Sequence, residues 1–291
     1  MRPPQRSDPF DGKTPVAPHQ WIRLEGGSSE NTVRAVDLLC PIGKGTRGLI
    51  VAPPKTGKTT FLKQICQAVM ASDPSIIVHT LLIDERPEEV TDFTRTIKAQ
   101  VHSSSSDRSY DEHIALAEKV ARQATSQAAG GADVLVLLDS LTRLSRVHNV
   151  NTRGSSRTMS GGLDARAMEV PRRFFGAARK LEEGGSLTIL ATILVGTGSR
   201  MDEVIFQEFK GTGNMELVLS RPAAEARCFP AIDVRASGTR KEELLLPPPM
   251  LESVWKLRRS LADRQDLDAT KDFVSLLRRH PTNERLLATF R

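Results

Sequence analysis

Three short stretches of this 291-residue chain carry the residue types that handle phosphate. Ala52-Pro53-Pro54-Lys55-Thr56-Gly57-Lys58-Thr59 has the spacing of a phosphate-binding loop, with alanine where the first glycine usually stands. That chemistry needs backbone N–H groups pointing into a concave turn, a lysine for the β- and γ-phosphates and a hydroxyl for Mg²⁺. Gly57, Lys58 and Thr59 supply these parts. Asp139 follows the apolar run Val134–Leu138, where a carboxylate can hold a Mg²⁺-bound water beside the loop hydroxyl. Glu85 follows the run that starts at Ile76, where a carboxylate can deprotonate an attacking water. A helix-capping or Arg86-paired acid explains Glu85 equally well at this stage. Phosphoryl transfer also gains from an arginine at the transition state, worth about 10³–10⁵ in rate. Arg143, Arg146, Arg227 and Arg240 are candidates, and composition does not choose among them.

These residues need elements to hold them. Gly48–Ala52 reads as a buried strand, followed by the Pro/Gly loop and a helical stretch from Lys58 to Ala71. Ile76–Ile83 is a second strand, and Pro87 suits the first turn of a helix reaching about Lys98. Ile114, Ala117, Val120, Ala121 and Ala124 repeat at helical spacing between Asp111 and Ala128. Leu187–Ile193 is a further strand, and the last forty residues are mainly helical. Short apolar runs separated by helices predict an α/β fold with a mainly parallel central sheet, helices on both faces and ligand at the strand C-terminal ends. Residues 1–20, rich in proline and polar groups, read as a flexible arm, 21–46 as a lead-in, and 47–291 as the body.

Composition narrows the classes. Hydrophobic residues make up 39% and charged residues 26%, ordinary for a globular chain. No apolar run is long enough to span a bilayer and no secretory leader is visible, so a cytoplasmic protein with no membrane partner is expected. Cys40, Cys66 and Cys228 form no CxxC pair and read as reduced thiols. The net charge of +6 permits a polyanion partner, but aromatics are only 4%, too few for a base-stacking platform. RNA, if bound, would be held through its phosphates. Up to Thr46 there are six Lys/Arg against five Asp/Glu, so the lead-in is no basic arm.

The strings RGLIVAPPKTGKT (47–59), LLIDERPEEVT (81–91), VLLDSLTRLSR (136–146), RRFFGAARKLEEGGSLTILAT (172–192), GTGSRMDEVIFQEFKGTGNMEL (196–217) and FPAID…SGTRKEELL (229–245) together resemble the ATPase region of the bacterial transcription termination factor Rho family. The resemblance implies a RecA-like P-loop NTPase, a homohexameric ring and an RNA-dependent ATPase and 5′–3′ translocase acting in transcription termination, with ATP and Mg²⁺ as cofactors. By position it implies nucleotide contacts from Gly43, Lys44, Gly45, Thr46, Arg47 and Gly48, from Lys55, Thr56, Gly57, Lys58, Thr59 and Thr60, and from Arg86, with Phe229 stacking on adenine. Lys58 and Glu85 take catalytic roles, and Thr59 and Asp139 face Mg²⁺. Arg240 matches the arginine finger reaching a neighbouring subunit, and Arg227 and Arg143 match arginines that sense nucleotide across the interface. Two pore loops are implied to grip single-stranded RNA, through Arg157, Thr158, Gly161 and Gly162 and through Arg200. Arg200 stands where the family usually has lysine, which keeps the charge but changes a point ammonium for a planar fork. Only about 46 residues precede the core, too few for the family's N-terminal RNA-binding OB-fold. The alternative expectation is therefore a short relative that co-assembles with full-length Rho, with RNA polymerase as a further partner. A rotary-type ATPase subunit is the weaker reading, because such subunits lack a basic loop like 196–200.

Overall fold

The computed structural model describes residues 8–152 and 160–291. Arg157 and Thr158, expected at the RNA, lie outside the described residues.

In chain order the elements are β1 (Pro15–Val16), α1 (Asn31–Leu39), β2 (Arg47–Ala52), α2 (Lys58–Ser72), β3 (Ile77–Glu85), α3 (Pro87–Thr96), β4 (Gln100–Ser105), α4 (Tyr110–Ala129), β5 (Asp133–Asp139) and α5 (Leu141–Asn151). Two short 3-10 turns, Ser160–Gly162 and Ala165–Met168, lead to α6 (Glu169–Gly176), β6 (Arg179–Leu181), β7 (Ser186–Leu194), α7 (Arg200–Lys210), β8 (Met215–Val218), α8 (Arg221–Glu225) and β9 (Gly238–Thr239). The chain closes with α9 (Pro248–Ala262), α10 (Asp266–Arg279) and α11 (Asn283–Ala288).

The sheet runs β4-β3-β5-β7-β2-β8-β9. From β4 to β8 every neighbouring pair is parallel, and β9 adds an antiparallel edge. Alternate residues enter two separate cores. Ile50, Ala52, Leu135 and Leu137 face one, and Leu49, Val51, Val134, Val136 and Leu138 face the other. Burial on both faces is why these strands appear as unbroken apolar runs. Carbon-rich faces of this kind remove water at about 25 cal/mol per Å², the main force closing the layers.

The first core draws in far more of the chain's start than a lead-in would. Ile22, Leu24, Val33, Val36, Leu38 and Leu39 are buried in it beside β2, α9 and α10. The buried Arg34 on α1 donates to the carbonyl oxygen of Leu277 (2.8 Å) and to Oδ1 of Asn283 (3.3 Å), pinning α1 to the C-terminal helices. Residues 8–20 also pack. Phe10 is buried beneath the Arg179 guanidinium at 4.5 Å, and β1 pairs with β6. Among the described residues no helix is long and apolar enough to cross a membrane.

Candidate active site

The ends of β2, β3 and β5 converge on one cluster. Gly57 caps α2 with φ +89°, a left-handed conformation that glycine adopts without strain. No neighbour crowds its missing side chain, so conformation rather than space calls for glycine there. Thr56 is buried and donates to the Pro53 carbonyl at 2.7 Å, which tightens the turn. The loop thus delivers Lys58, the first residue of α2, to the cluster: Nζ donates to Oε1 of Glu85 at 2.9 Å and also to Oδ1 of Asp139.

Glu85 and Asp139 are each about 98% removed from solvent. Glu85 arrives through a bulge: the β3–β4 register shifts between Ile83 and Glu85, and Asp84 takes φ +55°. An extra residue of this kind re-aims the strand end. Oε2 of Glu85 forms no hydrogen bond and lies 3.2 Å from the Arg143 guanidinium, which also donates to the carbonyl oxygen of Asp84. Asp139 is reached from the intervening strand by Thr192, whose hydroxyl donates to Oδ1 at 2.8 Å. Burial pushes the Asp139 carboxyl above its ordinary range, with Lys58 opposing the rise and Glu85 adding to it. Burial works to lower the Lys58 ammonium, but the charges of Asp139 and Glu85 outweigh it and hold the group above its ordinary value. Lys58 is therefore charged at neutral pH.

Thr59 is half-buried and next in the helix after Lys58, which pairs with the buried Asp139 carboxylate. Hard oxygen donors of this type suit Mg²⁺. Arg86 is exposed beside Glu85, and Lys55 (φ +65°) and Thr60 are exposed on the loop and first helical turn. The exposed Phe229 belongs to the segment after β8. Leu219 and Ser220 carry this segment to the end of β2, since Leu219 N–H donates to Val51 O and Ser220 N–H to Ala231 O. Arg227, with φ +56°, lies exposed in the same segment.

Gly43–Gly48 lie at the start of β2, the opposite end from the phosphate loop, and hold the fold there. The Lys44 ammonium pairs with Asp133 (2.7 Å) and Asp73 (3.1 Å). Gly43 N–H donates to the Thr46 hydroxyl, and Gly45 N–H to that of Thr188. The Arg47 guanidinium donates to the carbonyl oxygens of Thr212 and Ala178, both at 3.0 Å, and Gly48 is a buried rung between Leu190 and Met215. The resemblance implies contacts from these six to a nucleotide held between subunits; within one chain they lie at the far end of β2 from Lys58. Arg143 was expected to act across an interface, yet it is engaged with its own chain's Glu85. Arg146, also a finger candidate, is bound bidentately to Asp202, with Nε at 2.8 Å and Nη2 at 2.5 Å. Arg240 stands level with Met215 and Arg47: its N–H donates to Asn214 O, and Asn214 Oδ1 accepts from Arg47 N–H. That is about 15 Å along the sheet from the loop at the end of β2. It is beyond the reach of its own Lys58.

The two expected RNA loops meet. Gly161 has φ +76°, and a side-chain carbon there would lie 3.0 Å from the Arg200 carbonyl oxygen, so the loops run backbone against backbone. Gly162 and Arg200 are exposed beside them. Arg200 opens α7, whose N-cap is Ser199, and Asp202 accepts from Thr197 and Arg146. Three residues missed by sequence reasoning position this ensemble: Thr192, Asp202 and Asn149. Apart from the local Ser199 and Thr197 contacts of Asp202, their partners lie 13 to 56 residues away, and no local spacing betrays them.

The ATP synthase alpha/beta family nucleotide-binding domain matches residues 32–239. The chain is 52% identical over 286 residues to transcription termination factor Rho of Streptomyces coelicolor, covering 98% of this chain and 69% of that protein. It is 51% identical to the Rho of Haemophilus influenzae (94% and 66%) and 50% identical to that of Bacillus subtilis (94% and 64%). The chain thus spans about two thirds of the length of these relatives. A prototypical ATPase from the type III secretion system of pathogenic bacteria superposes with TM-score 0.79 at 22% identity, covering 99% of this chain and 88% of that one, and shares the fold. The assembled ATPase EscN, in complex with its central stalk EscO, gives TM-score 0.74 at 26% identity, covering 94% and 63%. The fold is therefore the RecA-like one, and identity near 50% separates this chain's own line from those secretion ATPases. With an ATP-hydrolysing P-loop core of this build, the chain belongs to the transcription termination factor Rho family.

Proposed function

We propose that the chain is an RNA-stimulated ATPase and translocase of transcription termination, working as a ring of identical subunits, hexameric as the resemblance implies. The observation that carries the reading is the cluster of Lys58 on Glu85 and Asp139, joined by Arg143 at the strand ends. A β- or γ-phosphate would compete with the two carboxylates for the Lys58 ammonium. Glu85, relieved of that ion pair and kept near Arg143, orients a water and accepts its proton. Thr59 and Asp139 would hold Mg²⁺, which spreads charge away from the transferring phosphoryl group. Phe229 offers a face for the adenine, and Arg86, Lys55 and Thr60 flank the phosphates. Arg240 of a neighbouring copy supplies the positive charge that the chain's own Arg240 is too distant to give. Arg227 lies in the segment of Phe229 and bears on the same interface. Arg200, with Gly161 and Gly162 beside it, presents a basic edge to the RNA backbone.

Steady-state ATP hydrolysis with and without single-stranded polypyrimidine RNA, at low salt where phosphate contacts are strongest, tests the reading. Turnover should rise with RNA and vanish in Lys58→Ala. Turnover indifferent to RNA would refute it.

A further inference from the structure

Helix α5 carries three polar side chains at three-residue steps, each of which meets a different part of the site. Arg143 meets Glu85, Arg146 meets Asp202, and Asn149 meets the stem of the other loop. The last has no part in the proposed chemistry, yet it is 98% buried and fully committed. Its Nδ2 donates to the carbonyl oxygen of Gly162 at 3.1 Å, and its Oδ1 accepts from the N–H of Asp164 at 2.7 Å. The donor and acceptor ends meet an acceptor and a donor, so one orientation of the amide fits and the flipped one does not. Nδ2 also lies 3.9 Å from the Met201 sulfur, next to Arg200. One carboxamide thus fixes where Gly161-Gly162 leave the first loop and where α7 begins. Because Gly161 rests on the Arg200 backbone, the position of Arg200 depends on the same clamp.

We propose that Asn149 is a positioning residue that registers the two loops against each other and so sets the affinity for RNA. It touches neither nucleotide nor RNA. A purely structural amide would move the melting temperature alone. A registering amide moves the RNA requirement of hydrolysis. The inference rests on the RNA-stimulated reading above.

The experiment is the RNA concentration dependence of ATP hydrolysis by the full chain, with thermal melting alongside. Asn149→Asp keeps the acceptor for Asp164 and sets a second oxygen against Gly162. Losing a buried hydrogen bond of this kind should raise half-saturating RNA about tenfold. The rate at saturating RNA should stay within about twofold, a split between binding and chemistry. Asn149→Ser, which draws the side chain back from both Gly162 and Asp164, should produce the same shift, and it decides the matter should Asn149→Asp fail to fold. Wild-type half-saturation in the folded variants, or a fall in the saturated rate with no change in half-saturation, overturns the inference. Wild-type hydrolysis that ignores RNA overturns both this inference and the reading beneath it. Wild-type stimulation with unchanged variants overturns this one alone.

Discussion

At the scale of single residues the cluster is one lysine between two buried carboxylates, and the acids differ in their neighbours. Asp139 accepts from Lys58 and Thr192, whereas Oε2 of Glu85 is left without a hydrogen bond near Arg143. A proton acceptor needs that spare lone pair; a metal-side acid needs to be held still. Glu85→Gln keeps the shape and removes the base, so the rate at saturating ATP and RNA should fall about 10²–10⁴-fold. Nucleotide affinity, followed with a fluorescent ATP analogue, should stay near wild type. A loss of binding instead would show that Glu85 holds the loop rather than serving the reaction. Lys58, Glu85 and Asp139 were legible in the sequence because each ends an apolar run or opens a helix. Thr192 and Asn149 were not, since their meaning lies in partners brought near only by the sheet.

At the scale of elements, the parallel strands β2, β3, β5 and β7 and the helices α2, α3 and α4 announced themselves through burial and spacing, whereas the polar β4 and the short β8 did not. Helix α1 did not. Val33 through Leu39 are all buried, Arg34 and Asp37 included, so no polar stripe marks a helical period. The two-residue strands β1 and β9 have no period to read. Gly43–Gly48, next to the phosphate loop in sequence, sit a full strand away from it in space. Asp37 on α1 ties the preceding segment down by accepting the N–H of Leu24 (3.1 Å) and of Glu25 (2.8 Å). Burial pushes its carboxyl up to about 7, with those two hydrogen bonds pulling the other way. The folded state therefore holds this proton more tightly than the unfolded chain does. Stability should fall as pH rises from the ordinary carboxylate range to about 7 and then level off with respect to this group. Urea melts across that window should show the slope, and Asp37→Asn should flatten it. A wild-type slope that survives in the variant would assign it to other groups.

At the scale of the whole molecule, Lys58 follows the C-terminal end of β2, whereas Arg240 follows the antiparallel edge strand β9, level with the start of β2, which suits a head-to-tail ring in which each site draws on two copies. Lys58→Ala and Arg240→Ala should each be inactive alone. Mixed in equal amounts under subunit exchange, they should recover roughly a quarter of wild-type turnover, because one interface in four then joins an intact Lys58 to an intact Arg240. A mixture as inactive as its parts would place both residues in one copy's site.

The bracing of α1 by the last helices also bears on how the chain is made. Arg34 bonds to Leu277 and Asn283, and the core that covers one face of the sheet includes Leu277, Leu286 and Leu287. A ribosome delivers those residues some 240 positions after Arg34. Until those helices are made, the growing strands present an apolar face with its lid still missing, the kind of surface that invites aggregation before folding ends. Synthesis of α10 and α11, rather than emergence of the phosphate loop, is then the step that closes this interior.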